Sequence, residues 1–521
     1  MAISKWKGAR MSRRRLLASA WGAGALTVLG GIARPYLSRA ADRPRITHGI
    51  QSGDISLDGG IVWARADRPS LMVVEAATTE SFKDIIRVVS ADARPETDFT
   101  AKVLLDRLPA GQDIFYRVRF HDIASPMIAG EPQVGRFRMA SHATRDVSFV
   151  GSGDTAGGWG IDESRGGMRT YATMLGNRPD FFVHCGDNIY AECPLGPEQR
   201  LPDGAIWRNV VTEEKSRVAE TLADYRGNYK YNLLDHNLRA FNAEVPTFAQ
   251  WDDHEVTNDW WPGMPLRVGE ADITALAARG CRAFHEFTPT RQVAAERGRI
   301  CRKIGYGPLL DVFMLDMRSY RGPNGDGRQE SYGPAAHFLG PAQVAWLIRE
   351  LGGSRATWKV ISADLPIGVT SYDAAAQGDG PPLGRELEIA DLLSFIKHAG
   401  VRNTVWITAD MHYTAAHHYD PNRAVFQDFE PFWEFMSGPI HAGTGGPGVL
   451  DNTFGPRAVY QNACSKEQGD DLAPCFGLQF FGHVAIDGAS EVMTVTLKDV
   501  ADRALWSIEL VPQAPPRITR V

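Results

Sequence analysis

The stretch DFFVHCGDNIYAE, residues 180–192, joins a run of apolar residues to Gly186, Asp187 and Tyr190. A continuous apolar run bounded by turn residues is typical of a strand that is buried on both faces of a parallel sheet. A carboxylate and a phenol that follow such a strand lie at its carboxyl end, where α/β sheets bind their ligands. The stretch therefore predicts an α/β fold with a polar site that includes Asp187 and Tyr190.

Five further apolar runs also end at an acidic residue. They are VSFV before Asp154, VPTFAQ before Asp252 and Asp253, LLDVFML before Asp316, WKVISA before Asp364, and NTVWITA before Asp410. One aspartate after a strand often begins a turn or caps a helix. Six cases at one sheet edge predict a site, because clustered carboxylates repel one another and need a cation to hold them together. We expect divalent or trivalent metal ions, with Asp187 able to bridge two of them and Tyr190 able to reach the same ions.

Two later blocks add candidate ligands to this site. WDDHE places Asp253 directly before His254, and ADMH places Asp410 two positions before His412. Alternate residues of an extended segment share one side, so Asp410 and His412 are expected to reach one metal centre together.

The amino-terminal segment has the composition of an export signal. The first 41 residues contain eight Lys or Arg and no Asp or Glu, and they include an apolar run over 16–33. This pattern is typical of a secretory leader. SRRRLL at 12–17 favours the twin-arginine type over an ordinary signal or a membrane anchor. We therefore expect a signal peptide over residues 1–41 and a periplasmic or secreted protein that uses the twin-arginine export machinery.

Charge and hydropathy exclude some partners. Without the eight positive charges of the leader, the formal net charge falls from −6 to −14. Such an acidic chain disfavours binding to nucleic acid or to an anionic membrane. After the leader, the sequence offers no run of about 18 apolar residues, which a membrane-spanning helix needs. We expect neither a nucleic-acid partner nor a membrane span.

The six cysteines form no CxxC pair, which argues against a zinc knuckle. Cys464 and Cys475 flank a polar loop, and export makes a disulfide between them plausible. Cys185 lies inside the apolar run of the opening stretch, where we expect an inert packing residue rather than a metal ligand.

The chain divides into two regions of different pattern. Its 521 residues, 44% of them hydrophobic, can bury a large core and suggest more than one domain. From 45 to 140, short alternating strands separated by turns predict a β-sandwich of immunoglobulin or fibronectin type. From 146 to 515, apolar runs alternate with helical segments, which predicts a layered α/β domain.

The ordered blocks GD, GDNIY, DDHE and ADMH resemble the pattern of calcineurin-type metallophosphoesterases. The blocks HCGDNIY, QWDDHEVTNDWW, VFMLDMRSYR, SADLP and FWEFMSGPIHAGTGGPG narrow the resemblance to the PhoD-like alkaline phosphatase/phosphodiesterase family. The stretch ITHGIQSGDISLDGGIVWARAD is similar to the opening of that family's amino-terminal β domain. The resemblance covers about residues 46–515. It implies a two-sheet metallophosphoesterase sandwich flanked by helices and preceded by a small all-β domain.

The resemblance implies metal-ligand roles for Asp154, Asp187, Tyr190, Asp253, Asp410 and His412. Among these, Asp187 matches the bridging carboxylate, and Tyr190 matches the tyrosine that binds ferric iron in family members. Asp253 stands where the general pattern has asparagine, and it would bind the second metal ion. His254 would contact the phosphate or protonate the leaving oxygen.

One departure from the family pattern concerns the metals. Many PhoD-like proteins carry a cysteine ligand just after the first strand, where VGSGD places Gly153 and Asp154. An oxygen donor in place of sulfur makes this site less soft. The resemblance implies iron and calcium, and the departure leaves manganese, zinc or a mixed pair open.

The remaining polar residues near the blocks have weaker assignments. Asp316 is expected to form a structural ion pair with a nearby arginine, and Asp364 sits where related folds place a metal-binding histidine. The histidines expected to be exposed or satisfied within the core are His417, His418 and His441.

The sequence therefore predicts an exported PhoD-like alkaline phosphatase that hydrolyses phosphate monoesters, diesters or both by attack of a metal-held water on phosphorus. Its expected partner is a small phosphate-ester substrate. Two alternatives remain open. One is a phosphodiesterase that acts on phospholipids or teichoic-acid-like polymers, and the other is a catalytically inactive exported binding protein.

Overall fold

The computed structural model describes residues 43–292 and 295–513. The predicted signal peptide and its twin-arginine motif lie outside the described residues. In the described ranges, the helices are all too short or too polar to cross a membrane.

Six α-helices lie in the described part of the chain. They are α1 (Arg169–Gly176), α2 (Leu222–Asn232), α3 (His236–Glu244), α4 (Ile273–Phe287), α5 (Pro341–Gly353) and α6 (Glu386–His398). Side chains at the start of three helices accept a backbone N–H, as helix N-caps do: Thr221 for α2, Asp235 for α3 and Asp272 for α4. These caps fix where the three helices begin.

The described residues contain 26 strands. The first thirteen are β1 (Ile46–Ser56), β2 (Gly59–Ala66), β3 (Ser70–Ala77), β4 (Ile85–Ala93), β5 (Thr100–Asp106), β6 (Asp113–Asp122), β7 (Gln133–Arg138), β8 (Val147–Ser152), β9 (Thr155–Gly157), β10 (Phe181–His184), β11 (Glu198–Arg200), β12 (Ile206–Arg208) and β13 (Thr247–Ala249). The others are β14 (Arg267–Val268), β15 (Ala271–Asp272), β16 (Arg302–Gly305), β17 (Leu310–Met314), β18 (Trp358–Ser362), β19 (Thr404–Thr408), β20 (Thr414–Tyr419), β21 (Phe432–Met436), β22 (His441–Ala442), β23 (Pro456–Asn462), β24 (Phe480–Ile486), β25 (Met493–Asp499) and β26 (Ala504–Leu510). Each of the six apolar runs of the sequence overlaps one of these strands.

Nine strands form the larger sheet, in the order β26-β25-β24-β8-β10-β13-β1-β2-β5. Its centre is parallel, because β10 pairs parallel with β8 on one side and with β13 on the other. The carboxyl ends of these three strands therefore meet at one edge of the sheet.

A second sheet has seven strands, in the order β16-β17-β18-β19-β21-β20-β23. Strands β17, β18, β19 and β21 are parallel neighbours, and the outer strands pair antiparallel. Here too, the segments that follow the parallel strands emerge at one edge.

The two sheets share one apolar core. Phe181 and Val183 of β10 enter the same core cluster as Val360 of β18. The alternate residue Phe182 packs with residues of α1 to α4, and Ile361 packs with residues of α5 and α6. Because alternate side chains of a strand point to opposite faces, each sheet has the common core on one face and helices on the other. The predicted α/β fold is confirmed.

The amino-terminal region is all-β, as predicted, but its seven strands divide between two sheets. Strands β3, β4, β6 and β7 form a four-stranded sheet, whereas β1, β2 and β5 extend the nine-stranded sheet beyond β13. Val74 and Val118 of the four-stranded sheet belong to the same core cluster as Phe181. The immunoglobulin or fibronectin arrangement and the boundary between 140 and 146 stay predictions.

The predicted disulfide is wrong for this structure, since Cys464 and Cys475 are free thiols. The Cys464 sulfur lies 3.4 Å from Oδ1 of Asp470, and Cys475 packs beside an apolar cluster that contains Trp207. Cys185 lies in the core between the two sheets, where burial raises the pKa of its thiol to about 12.

Candidate metal centre

The strand-ending acids of the two sheets converge. Two sets of potential ligand atoms lie within 4.8 Å of one another, those of Asp154, Asp187 and His412, and those of Asp187, Asp252, Asp253 and Asp410. Asp187 belongs to both sets and therefore lies between them. The convergence joins segments that follow β8, β10 and β13 of the nine-stranded sheet to the segment that follows β19 of the seven-stranded sheet.

Sharp backbone turns place these residues at the strand ends. The φ angles of Asp154, Asp187, Asp410 and His412 are 69°, 54°, 63° and 58°, in the left-handed region that non-glycine residues seldom adopt. Tertiary contacts hold this conformation, since the N–H of Thr155 donates to the carbonyl of Asp187 at 2.9 Å. The turns explain one difference from the sequence expectation. Asp410 and His412 both reach the centre, but they join different sets because their segment is not extended.

The buried carboxyl group of Asp187 has no cationic side chain as a partner among the described residues. Its Oδ1 accepts the backbone N–H of His254 at 3.3 Å, and its buried Oδ2 has no hydrogen-bond partner within residues 43–292 and 295–513. Burial and the carboxylates of Asp252 and Asp253 raise the pKa of Asp187 well above its usual value. Burial and Asp252 raise the pKa of Asp410 in the same way. A cation held by these carboxylates would remove the repulsion.

Three further buried carboxylate oxygens of the two sets have no hydrogen-bond partner among the described residues: Oδ2 of Asp154, Oδ2 of Asp252 and Oδ1 of Asp253. Leaving a buried polar atom unpartnered is costly unless a ligand satisfies it. The donor set therefore fits metal ions that prefer oxygen ligands.

Tyr190 lies beside His412 of the first set. The Tyr190 hydroxyl lies 2.8 Å from Nε2 of His412, and the same nitrogen lies 3.5 Å from Oδ1 of Asp154. Nδ1 of His412 is 2.6 Å from the carbonyl oxygen of Gly443. A carbonyl can only accept, so Nδ1 carries the proton and Nε2 presents its lone pair to the site. This is the arrangement of a metal-binding histidine.

Two glycines make room for these ligands. A Cβ atom on Gly157 would lie 2.5 Å from the Tyr190 ring, and one on Gly438 would lie 2.2 Å from Oδ2 of Asp154. Any larger residue at either position would displace a predicted ligand.

His254 lies beside the centre with its two nitrogens turned in different directions. Nδ1 hydrogen-bonds Oε1 of Glu192, which also accepts the N–H of Asn258 at 3.1 Å, while Nε2 lies 3.8 Å from Oδ1 of Asp253. The His254 ring stacks on Tyr190 with centroids 4.0 Å apart. Burial lowers the pKa of His254, but Asp253 and Glu192 outweigh that effect and raise it to about 10. In the metal-free protein, His254 is therefore protonated at neutral pH.

Sequence reasoning missed Glu192, although it is the last residue of the opening stretch. Its signal is its position two residues after Tyr190, on the same turn. Its partner His254 is 62 residues away in the chain, so the pair is visible only in the folded protein.

Arg318 was also missed, and it is the cation of the second set. Its side chain is fully buried, and Nε donates to Oδ1 of Asp252 at 2.5 Å while Nη2 lies 2.8 Å from Oδ2 of Asp373. Nη2 also lies 3.8 Å from Oδ2 of Asp253, and Nε lies 3.7 Å from Oδ2 of Asp364. One guanidinium thus faces four carboxylates.

Asp316 does not form the predicted ion pair with any arginine that the structure describes. Its Oδ1 accepts the indole N–H of Trp251 at 2.9 Å and the backbone N–H groups of Arg318 and Ser319 at 3.1 and 2.9 Å. The carboxylate therefore shapes the turn that carries Arg318. Asp364 is buried beside Arg318 and lies outside the two sets of ligand atoms.

The other histidines do not belong to the two sets. Nδ1 of the buried His417 lies 3.0 Å from Oε2 of Glu434, and Nε2 of the buried His441 lies 3.0 Å from the carbonyl oxygen of Gly160. His418 packs against Trp433 with ring centroids 4.7 Å apart. His441 is thus satisfied within the core, whereas the buried Nε2 of His417 has no hydrogen-bond partner among the described residues.

Stacked mixed sheets with acids and a histidine at the strand ends give the chain a metallophosphatase-like fold. A solved structure titled "Structure of PhoD" superposes with a TM-score of 0.67 at 21% identity and covers 89% of both chains. The purple acid phosphatase PPD1 of yellow lupin (Lupinus luteus) seeds has a TM-score of 0.53 at 12% identity, over 90% of this chain and 74% of that one. At these identities the likeness shows the fold alone.

Sequence comparison identifies the family. Residues 155–497 match the PhoD-like phosphatase family, and residues 31–141 match the PhoD-like phosphatase, N-terminal domain. The chain belongs to the PhoD-like phosphatase family. It is 27% identical over 394 residues to alkaline phosphatase D of Bacillus subtilis (strain 168), and the match covers 70% of this chain and 64% of that protein.

Proposed function

We propose that the protein is a metal-dependent phosphoesterase. The observation that carries the proposal is the convergence of buried, unpartnered carboxylate oxygens from both sheets on Tyr190 and His412. Membership of the PhoD-like phosphatase family and the similarity to alkaline phosphatase D support the same activity.

Two ions would occupy the centre, with Asp187 between them. The first would be held by Asp154, Asp187, Tyr190 and His412, and the second by Asp187, Asp253 and Asp410. When bound, the ions supply Lewis-acid activation of water and neutralise charge on the phosphate.

Iron in the first position and calcium in the second is the pair that the resemblance to PhoD-like enzymes implies. A phenol and two carboxylates are hard oxygen donors, which suits a trivalent ion next to Tyr190. Manganese or zinc could use the same donors, because Asp154 stands in place of the cysteine of other members. Elemental analysis of the protein purified after its own export would identify the ions.

His254 would serve as the general acid. Its Nε2 faces the carboxylates of the second set, and its Nδ1–H is held by Glu192. The ring is fixed further by stacking on Tyr190. A proton held at Nε2 can pass to the leaving oxygen of a phosphate ester, and the carboxylate of Glu192 keeps the ring in the orientation that this transfer needs.

The proposed substrates are small phosphate esters, and the location is periplasmic or secreted. The export part of the proposal rests on the twin-arginine pattern at 12–17. One comparison distinguishes a monoesterase from a diesterase: the rate of hydrolysis of p-nitrophenyl phosphate against that of bis-p-nitrophenyl phosphate.

The decisive experiment is metal removal and return. Chelation should abolish hydrolysis of both substrates, and adding back iron with calcium, manganese or zinc, in amounts that fill only the metal centre, should restore it. Hydrolysis that persists in chelated, metal-free protein would refute a metal-dependent enzyme. A fully metallated protein that cleaves neither ester would instead support the inactive binding protein.

A further inference from the structure

A second cluster of mixed donors lies beside the metal centre. Glu192, Cys193 and His254, here the Cys193 cluster, each place one potential ligand atom within 4.8 Å of the others. All three residues are half-buried. The proposed phosphoesterase reaction makes no use of Cys193.

The Cys193 cluster uses the opposite side of the His254 ring from the metal centre. Nδ1 of His254 hydrogen-bonds Glu192, whereas Nε2 lies near Asp253 at 3.8 Å. Within the described residues, Glu192 and Cys193 belong to no ligand set that contains Asp187. The two sites therefore share one imidazole but use different nitrogens of it.

One atom of the cluster points to a ligand independently of the spacing. Oε2 of Glu192 is buried and has no hydrogen-bond partner in the described part of the chain, while its Oε1 is bonded to Nδ1 of His254 and to the N–H of Asn258. A buried carboxylate oxygen without a partner is costly unless a cation or a donor satisfies it.

The donor types select the cation. A thiol, an imidazole and a carboxylate are the ligands of zinc sites, and three protein ligands leave a fourth position for water. Sulfur favours softer ions such as Zn²⁺ or Cd²⁺ over Ca²⁺ or Fe³⁺, which prefer oxygen. The Cys193 cluster thus differs in preference from the oxygen-rich centre around Asp187.

We propose that the Cys193 cluster binds a thiophilic divalent cation, with Zn²⁺ as the type, and that this binding inhibits the enzyme. The inhibitory role rests on the proposed phosphoesterase function. Binding displaces the thiol proton of Cys193 and the Nδ1 proton of His254 to solvent and breaks the bond from His254 to Glu192. An imidazole whose Nδ1 holds a cation cannot become imidazolium, and the proton left on Nε2 is far less acidic than an imidazolium proton, so His254 becomes a much poorer general acid.

The test is cadmium titration of the metallated protein, read as the ultraviolet thiolate-to-Cd²⁺ charge-transfer band. We expect the band in the wild type, its loss in Cys193→Ser, and its retention in the matched variant Cys475→Ser, which removes a half-buried thiol elsewhere. Cys193→Ala serves as the second variant should the serine form not fold. Hydrolysis without added zinc should be unchanged in these variants.

Zinc inhibition of p-nitrophenyl phosphate hydrolysis gives the functional half of the test. In Cys193→Ser the zinc concentration for half inhibition should rise by about tenfold or more. A cadmium band that survives in both Cys193 variants would overturn the site, and unchanged zinc inhibition would overturn its inhibitory role. Because the band needs no turnover, it decides the site even if the protein hydrolyses neither ester.

Discussion

The carboxylates of the metal centre fall into two halves, one around Tyr190 and one around Arg318. The halves differ in the cation that balances their negative charge. Asp154 and Asp187 lie in the half around Tyr190, and neither forms an ion pair with an arginine or lysine of the described chain. In the half that contains Arg318, one buried guanidinium faces the carboxylates of Asp252, Asp253, Asp364 and Asp373. The first half has no cation of its own, and the second has Arg318 in addition to the proposed second ion.

This difference indicates two roles: the carboxylates around Tyr190 bind metal ions, whereas Arg318 stabilises the folded cluster. Buried like charges raise one another's pKa values and oppose folding, and either a metal ion or a fixed cation offsets that effect. Arg318 holds part of the cluster together before any ion enters. The half around Tyr190 keeps its unpartnered oxygens for the ions. Removing Asp187 should therefore abolish function, whereas removing Arg318 should first damage the fold.

The sharpest test of the half around Tyr190 is Asp187→Asn. An amide cannot bridge two cations as a carboxylate does, so we expect kcat for p-nitrophenyl phosphate to fall by about 10³-fold or more. Metal content, measured by elemental analysis, should fall with it. The matched control Asp487→Asn changes an acid in the turn after β24 and should keep full activity. Wild-type turnover in purified Asp187→Asn would remove this residue from the site.

Arg318→Met tests the other half. The substitution leaves Asp252 and Asp373 buried without their partner, which should lower the free energy of unfolding by about 3–5 kcal/mol. Urea denaturation of the metal-free protein measures the loss. Arg94→Met breaks an ion pair with Asp92 that is exposed on the surface and should have no measurable effect. Equal stability of the two variants would mean that Arg318 does not neutralise the cluster.

His254 and Glu192 provide the test of proton transfer beside the two halves. His254→Ala should lower kcat by about 10²-fold with metal content retained, because it removes the proposed acid. Glu192→Gln keeps the shape of the contact but removes its charge, so we expect a smaller loss of about tenfold in kcat with KM unchanged. Loss of metal from His254→Ala would instead make His254 a ligand. A larger change in KM than in kcat would exclude the positioning role of Glu192.

Local patterns predicted the strands and the acids that follow them. A run such as DFFVHC is apolar because both faces of β10 are buried, and this property can be read from adjacent residues. The motif blocks likewise carried Asp187, Tyr190 and Asp253, since each lies within a few residues of its strand.

Contacts between distant residues could not be predicted in the same way. Arg318 reaches Asp252 across 66 positions of the chain, and nothing near either residue marks the pair. The sheet that joins β1 to β13 depends on a pairing of Gly53 with Thr247, which lies beyond any local pattern. Local patterns alone therefore predict a separate sandwich for the amino-terminal strands, and they do not indicate that three of these strands extend the nine-stranded sheet.

The pH dependence of stability in the chelated protein also tests the difference between the halves around Tyr190 and Arg318, and its expected effect is the smallest. The pKa values of Asp187 and Asp410 are raised above 3.8, and burial raises the pKa of Glu255 from 4.5 to about 7. The folded state then holds protons that the unfolded state has released. The contribution to stability is therefore complete below the unfolded pKa values and is lost as pH rises through the folded ones.

We expect the metal-free wild type to lose stability between about pH 4.5 and about pH 7, at up to about 1.4 kcal/mol per pH unit for each extra proton held. Asp187→Asn removes one of these protons, so its stability should fall less steeply over the same range. Urea midpoints of both proteins, with chelator and with metals restored, measure the slopes. Because bound cations favour the ionised carboxylates, the metallated wild type should show the flatter profile. Equal slopes for wild type and Asp187→Asn would show that the charge on Asp187 is balanced from within the protein, as it is beside Arg318.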